Sequence, residues 1–479
     1  MKKLNELIEC DYDIEIEAIV EDSRVVADNY LFCCIEGLTV DGHKFIRNAY
    51  ENGAVAAIVS KTIETDVPIP LIQVENTKDA MSGILAKFYD RPLDKLKLIG
   101  VTGTDGKTTT STILSQLLNM FGDCGLIGSN GASCKSFQEA TQFTTPPETD
   151  LYHLFDRFVK SNCEYVSMEV SSDGLSCGRL NHIEYDISIL TNLTRDHLDN
   201  HKTIENYRRS KAKLFEQTKK DGVCIINKDD SNSKFFIDRC NGEVLTYGIQ
   251  KKADVMAKDI ILGNAKTKFT VVGPFGEYRV ETSLPGMFNV YNLLAAISAC
   301  YKLGLDVAEV TRKVIHVTHP KGRVEFVNYG QPYKIVVDHA HTPNALKNLL
   351  EYVQLITEGN VIVVTGSAGG RDKGKRPEMG KIISELSDHI IFTMDDPRFE
   401  DPNDIIDDLT REIPDKRTFE RVINRTNAIR KALTMAGPND TVAIVGKGND
   451  SYMPVMGKTL HFNDFEEIDK IMKELIVQD

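Results

Sequence analysis

The sequence predicts an α/β protein of three domains: a small N-terminal α/β module over 1–96, a central parallel sheet of the phosphate-loop type over 97–322, and a C-terminal Rossmann-like domain over 323–479. Three observations carry this. A chain of 479 residues is longer than one hydrophobic core organises. Short apolar strands alternate with helical segments. In the second and third blocks the polar clusters follow the apolar strands, on the rim where open α/β sheets place ligands.

The first block shows short strands such as Val55 to Val59 and ends near Asp94-Lys95-Leu96, just after Arg91-Pro92 interrupts a helical run. The second opens with an apolar strand from Leu98 to Val101, passes a glycine-containing turn and continues as a helix through Thr112 to Leu118. Buried strands follow at Tyr165 to Val170, Asp186 to Leu190 and Val223 to Ile226, with helical segments that imply parallel crossovers. A helix around Val290 to Leu303 closes the block. After Gly322-Arg323, strands are expected at Lys334 to Val337, Val361 to Thr365, His389 to Thr393 and Thr441 to Val445.

Composition narrows the function. Hydrophobic residues make up 41% and charged residues 27%, and no stretch approaches the roughly 18 apolar residues that a membrane span needs. The N-terminus lacks the apolar region of a secretory signal, so a cytoplasmic protein without membrane insertion is expected. Ten cysteines without a C-x-x-C pair read as buried, reduced thiols. A net charge of −13 argues against nucleic acid as a partner and requires a local cationic pocket for any anion.

Gly103-Thr104-Asp105-Gly106-Lys107-Thr108-Thr109 supplies such a pocket. Its glycines let amides turn toward an anion, Lys107 adds charge, and the helix from Thr108 adds its positive end. The strict phosphate-loop spacing would need glycine at Val101, so the match is near, and strand-loop-helix context supports it. Such a loop fits a kinase, a switch protein or a ligase equally. Glu169 follows one apolar strand, and Thr191 to Asp199, with Asn192 and His197, follows another, so both offer ligands for magnesium on a strand-end rim.

These stretches, with Thr144-Thr145-Pro146, Leu284 to Asn292, Asp338 to Pro343 and Arg371 to Pro377, resemble the Mur ligases over essentially the whole chain. Within that family the chain is most similar to the branch that adds the third stem-peptide residue to a nucleotide-linked cell-wall precursor. The resemblance implies an ATPase-like central domain in which residues 103–109 hold ATP, helped by Asn192 and Asn289, with Arg323 and Asp338 reaching over from the third domain. It also implies magnesium held by Thr108, Glu169 and His197, and by Lys211 after its conversion to N6-carboxylysine. Lys107, Glu169, His197 and Lys211 would carry catalysis.

The same resemblance places the uridine-nucleotide precursor on Ser23, Arg24, His43, Thr144, Thr145, Ser171 and Arg179, although Asp173 and Cys177 depart from the pattern of many relatives. Arg371, Asp395, Asp396, Arg398, Gly446 and Asp450 would select the diamino acid. Arg398 suits a substrate whose far end carries a carboxylate. Asp396 and Asp450 replace the family's usual asparagine and glutamate and favour an ammonium. The expected enzyme is an ATP-dependent amide ligase, a monomer, that adds meso-diaminopimelate to a UDP-muramoyl dipeptide through an acyl phosphate. Alternatives are the same reaction with L-lysine or ornithine, a folylpolyglutamate-type ligase, and a non-catalytic nucleotide-binding regulator.

Overall fold

Period-two alternation decides how each buried strand is covered, and the C-terminal sheet shows it most plainly in the computed structural model, which describes residues 1–37, 40–263 and 266–478. Val336, Val363, Phe392, Ala443 and Val445 face one side, where Leu346, Leu349, Met379 and Ile383 cover them. Their neighbours Ile335, Val337, Ile362, Val364, Ile391, Val442 and Ile444 face the other, against Ala428, Ile429, Ile468 and Ile471. Strands apolar on both faces need helices on both sides, and that forces parallel pairing with helical crossovers. The six strands run in the order Glu325–Val327, Lys334–Asp338, Thr441–Val445, Val361–Thr365, His389–Phe392, Glu420–Arg421, and only the first is antiparallel to its neighbour.

Compactness divides the chain into two units, 1–100 with 121–186, and 101–120 with 187–479. In the first unit, Ala18–Val20, Tyr30–Cys33, Ala54–Val59 and Leu71–Gln73 form a four-stranded parallel sheet. The helix Thr77–Phe88 packs Met81, Ile84 and Leu85 against Leu31, Cys33, Ala56 and Ile58. The same unit pairs Tyr165–Glu169 with Cys124–Gly128 in parallel, and Cys124–Gly128 with Gly131–Ser133 antiparallel.

In the second unit Thr218–Asn227, Glu243–Gly248 and Val255–Leu262 pair in parallel, and Thr267–Gly273 and Gly276–Thr282 extend them antiparallel. The parallel crossovers expected of the central block therefore give way to hairpins at two places. Six of the ten cysteines are buried and four half-buried, so the expectation of uniformly buried thiols is corrected at Cys10, Cys134, Cys177 and Cys240. Among the described residues no helix is long and apolar enough to cross a membrane.

Candidate functional site

The strand Lys97–Thr102 feeds a loop whose shape depends on two glycines. Gly103 has φ +152°, and a Cβ there would lie 1.8 Å from the Thr191 hydroxyl; Gly106 has φ +83°, and a Cβ would come within 2.8 Å of Asn292 Oδ1. A side chain fits at neither position. The helix Lys107–Leu118 starts directly after Gly106, one residue before the sequence signal, so its positive end opens onto the loop.

Two ammonium groups converge there on one backbone oxygen. Lys107 Nζ donates to Gly103 O at 3.0 Å and Thr104 O at 2.8 Å, and Lys211 Nζ, from the helix Ile204–Glu216, donates to Gly103 O at 2.7 Å. Like charges drawn this close repel, which prepares the loop for a polyanion. The Lys211 ammonium also lies 4.5 Å from the Tyr207 ring centroid, and the Tyr207 hydroxyl is 3.2 Å from Thr104 Oγ1.

The segment after Tyr185–Leu190 fixes the loop from the side. Asn192 Oδ1 accepts from Asp105 N at 3.0 Å, Asn192 Nδ2 donates to Asp105 O at 3.1 Å, and Thr191 Oγ1 donates to the same oxygen at 2.7 Å. Asn289 is buried, with Nδ2 on Pro285 O and Oδ1 accepting from Asn292, whose own Oδ1 accepts from Thr110. His197 takes a left-handed backbone at φ +56°.

Residues 323–376 return to this loop. Arg323 Nη2 donates to the Thr108 hydroxyl at 3.3 Å. Asp338, expected over the nucleotide, accepts from Val324 N at 2.7 Å and Ala340 N at 2.6 Å and so braces the turn that presents Arg323. Burial pushes its carboxyl up, against the pull of Arg323. Sequence reasoning passed over the strongest contacts. Asp196 and Lys375, both buried, pair at 2.8 Å, and Arg195 pairs with Asp372 at 2.9 Å. Burial opposes charge on Asp196, yet His341, Lys375 and His197 hold its carboxyl well below the usual range. The available signal was the charge alternation Arg371-Asp372-Lys373-Gly374-Lys375 at a strand end.

The expected amino-acid pocket contains both signs of charge. Arg398 has no carboxylate partner for its guanidinium among the described residues; burial and the neighbouring Arg371 pull its pKa down. Arg371 makes only a long contact, 3.5 Å, to Asp199. Asp396 pairs with the fully buried Lys447 at 2.7 Å. Burial pushes Asp450 up to about 6, Lys447 opposing and Asp396 and Asp395 adding to the rise. Gly446 leaves room for Asp395, whose Oδ2 would lie 2.3 Å from a Cβ there.

In the first unit Glu169 is buried at the end of its strand, its Oε1 accepting from Ser129 N at 2.8 Å. Thr145 Oγ1 donates to Glu169 O at 2.9 Å and accepts from Ser171 N at 3.0 Å; Arg179 donates to Thr145 O at 3.0 Å and lies over the Phe143 ring. Thr144 Oγ1 meets Ser129 Oγ at 3.1 Å. These six residues form one network. His43 is committed elsewhere: Nδ1 meets Asp41 Oδ1 at 2.7 Å and Nε2 accepts from Ser60 N at 3.0 Å. The Ser23 carbonyl accepts from Asn52 Nδ2 at 2.9 Å, and Arg24 forks onto Asp22 at the surface.

Three family models match successive segments: "Mur ligase family, catalytic domain" over 15–89, "Mur ligase middle domain" over 101–300, and "Mur ligase, glutamate ligase domain" over 322–448. A relative from Bacillus velezensis, named UDP-N-acetylmuramoyl-L-alanyl-D-glutamate--2,6-diaminopimelate ligase, is 40% identical over 471 residues, 97% of this chain and 96% of its own. One of the same name from Clostridium tetani is 38% identical, covering 99% of both. A solved structure of a ligase with that name superposes at TM-score 0.69 with 28% identity over 99% of both chains.

Proposed function

Because the chain belongs to the Mur ligase family, we propose that it is the ATP-dependent ligase that joins meso-diaminopimelate to UDP-N-acetylmuramoyl-L-alanyl-D-glutamate, acting as a monomer in the cytoplasm. Residues 1–96 hold the uridine-nucleotide end of the precursor, 97–322 hold ATP, and 323–479 hold the amino acid.

One observation carries the choice of amino acid. Arg398 feels the neighbouring Arg371 guanidinium and the Asp396 carboxyl, and Asp396 in turn acts on Asp450. Asp396, which as a sequence position favoured an ammonium, is largely neutralised by Lys447. A cationic half at Arg371 and Arg398 and an acidic half at Asp450 fit a substrate whose far end is itself a zwitterion, as in diaminopimelate; lysine or ornithine would leave the Arg398 guanidinium without a carboxylate.

In the reaction, the γ-phosphoryl of ATP moves to the γ-carboxylate of the D-glutamate, ADP leaves, and the neutral amine displaces phosphate to form the amide. Two anions must approach, so Lys107 and Arg323 offset their repulsion, and the bent loop aligns the phosphates. Magnesium, a hard cation, fits oxygen donors: in the second unit the Thr108 hydroxyl, with the His197 imidazole a poorer match, and in the first unit the Glu169 carboxylate. When bound it supplies charge neutralisation to the transferred phosphoryl group. The Lys211 ammonium does not fit as a ligand; addition of carbon dioxide would give it a carboxylate that does.

Purified protein given ATP and the muramoyl dipeptide, with each amino acid offered separately, tests the reading by mass spectrometry of the product. Diaminopimelate alone should be incorporated, and hydroxylamine in its place should yield a hydroxamate. Exclusive lysine incorporation would overturn the specificity, and no hydroxamate would overturn the acyl phosphate.

A further inference from the structure

Asp105 stands in the phosphate loop between Gly103 and Gly106. Its carboxylate accepts from Thr342 Oγ1 at 2.9 Å and from Asn344 Nδ2 at 2.8 Å. Thr342 caps the helix Pro343–Ile356, its hydroxyl oxygen accepting from Ala345 N at 3.1 Å. That helix packs on the sheet that carries Arg323, Asp338 and the Arg398 pocket. The backbone of Asp105 is meanwhile held by Asn192 and Thr191. One residue therefore joins the loop, the 191–194 segment and the cap of a C-terminal helix.

We propose that Asp105 is a positioning residue that latches the C-terminal sheet to the phosphate loop, so that the arrangement placing Arg323 on the loop helix is held by the loop itself. The inference rests on the ligase reading. Three features favour it over a role confined to loop folding. The loop's turn is already fixed by the backbone bonds to Asn192 and Thr191, which need no side chain at 105. Thr342 donates to one carboxylate oxygen and Asn344 to the other, both at shorter range than the 3.4 Å contact from Thr194 Oγ1, so the helix cap fixes the orientation of the side chain as well as its distance. The buried Asp196–Lys375 pair ties the neighbouring 191–199 segment to the turn before the helix Arg376–Leu386, so the latch works beside a second fixed contact.

Steady-state kinetics of the full chain test this with Asp105→Ala, Asp105→Asn, Asn344→Ala and the Ala/Ala double variant. Asp105→Ala should lower kcat by about 10- to 100-fold with the ATP KM changed by less than about threefold, because the loss is one of orientation rather than of phosphate contacts. Asp105→Asn keeps an acceptor for Thr342 and, with the Asn344 amide turned over, a pair to it; it should recover most of kcat. The double variant should be no slower than Asp105→Ala. A loss confined to ATP KM, a failed rescue by asparagine, or additive single effects would overturn the proposal. If the wild type forms no amide the ligase reading fails, and hydrogen exchange of residues 342–348 then decides the latch: faster exchange in Asp105→Ala than in wild type is expected, and unchanged exchange overturns it.

Discussion

In the unit that carries the phosphate loop, Arg425 and Asp464 are both fully buried and meet through two bonds of 2.8 Å, and buried Arg376 reaches Glu400 and Asp408 at 3.0 Å each. In the unit that carries Glu169, the half-buried carboxyl of Glu21 and the buried one of Glu148 have no such partner among the described residues, and one Glu148 oxygen finds no hydrogen bond there. Burial is offset by a partner in the first setting and pushes the carboxyls up in the second. Burial pushes Glu148 up to about 7, with Ser82, His182 and Lys78 opposing and Glu21 adding to the rise. Glu400, by contrast, is held down to about 2 despite burial, by Arg376 and the Gly370 amide. A fixed ion pair orients elements around an anion site; an unpaired buried carboxyl makes its surroundings sensitive to pH.

The contrast breaks first at Arg425. Arg425→Met leaves Asp464 charged and buried, and should cost ~3–5 kcal/mol of unfolding free energy in urea titrations. Adding Asp464→Leu should restore much of it; if it does not, packing rather than charge is what Arg425 supplies.

Glu148 tests the other side. Its folded-state pKa lies above the ordinary value, so the stabilising proton is fully bound below about pH 4 and lost as pH rises through about 7. Up to ~3 kcal/mol should disappear across that window. Glu148→Gln should match wild type near pH 5 and exceed it in Tm at pH 8. Parallel pH profiles for the two proteins would remove Glu148 from the comparison.

The smallest effect is expected at Arg24, which pairs with Asp22 while 84% exposed. Arg24→Ala should leave Tm unchanged, because solvent screens such a pair. Any consequence should appear only as a higher KM for the uridine-nucleotide precursor.

Much of this was legible in the sequence where local rules dominate. The strands Val361–Thr365 and Thr441–Val445 were predicted to the residue, since apolar runs bounded by polar turns have one reading in a doubly covered sheet. The hairpin of Thr267–Gly273 and Gly276–Thr282 was not, because Lys268, Glu277 and Arg279 leave one face polar and no buried run announces it. Site partners were harder still. Lys375 lies 179 residues from Asp196 and Lys447 lies 51 from Asp396, so nothing local could show that those charges were already paired. The acid at 396 looked like a vote for an ammonium substrate until its partner was visible.

Arg398 presents its guanidinium from a left-handed backbone, φ +54°, tied down by Pro454 and Val455. An L-residue there stores roughly 1 kcal/mol that glycine would not. Arg398→Gly would relieve that strain and remove the guanidinium in one step. The backbone bonds at this position are made by its N–H and carbonyl, so the scaffold holds the loop whatever side chain stands there, and the charge it displays is separable from the fold.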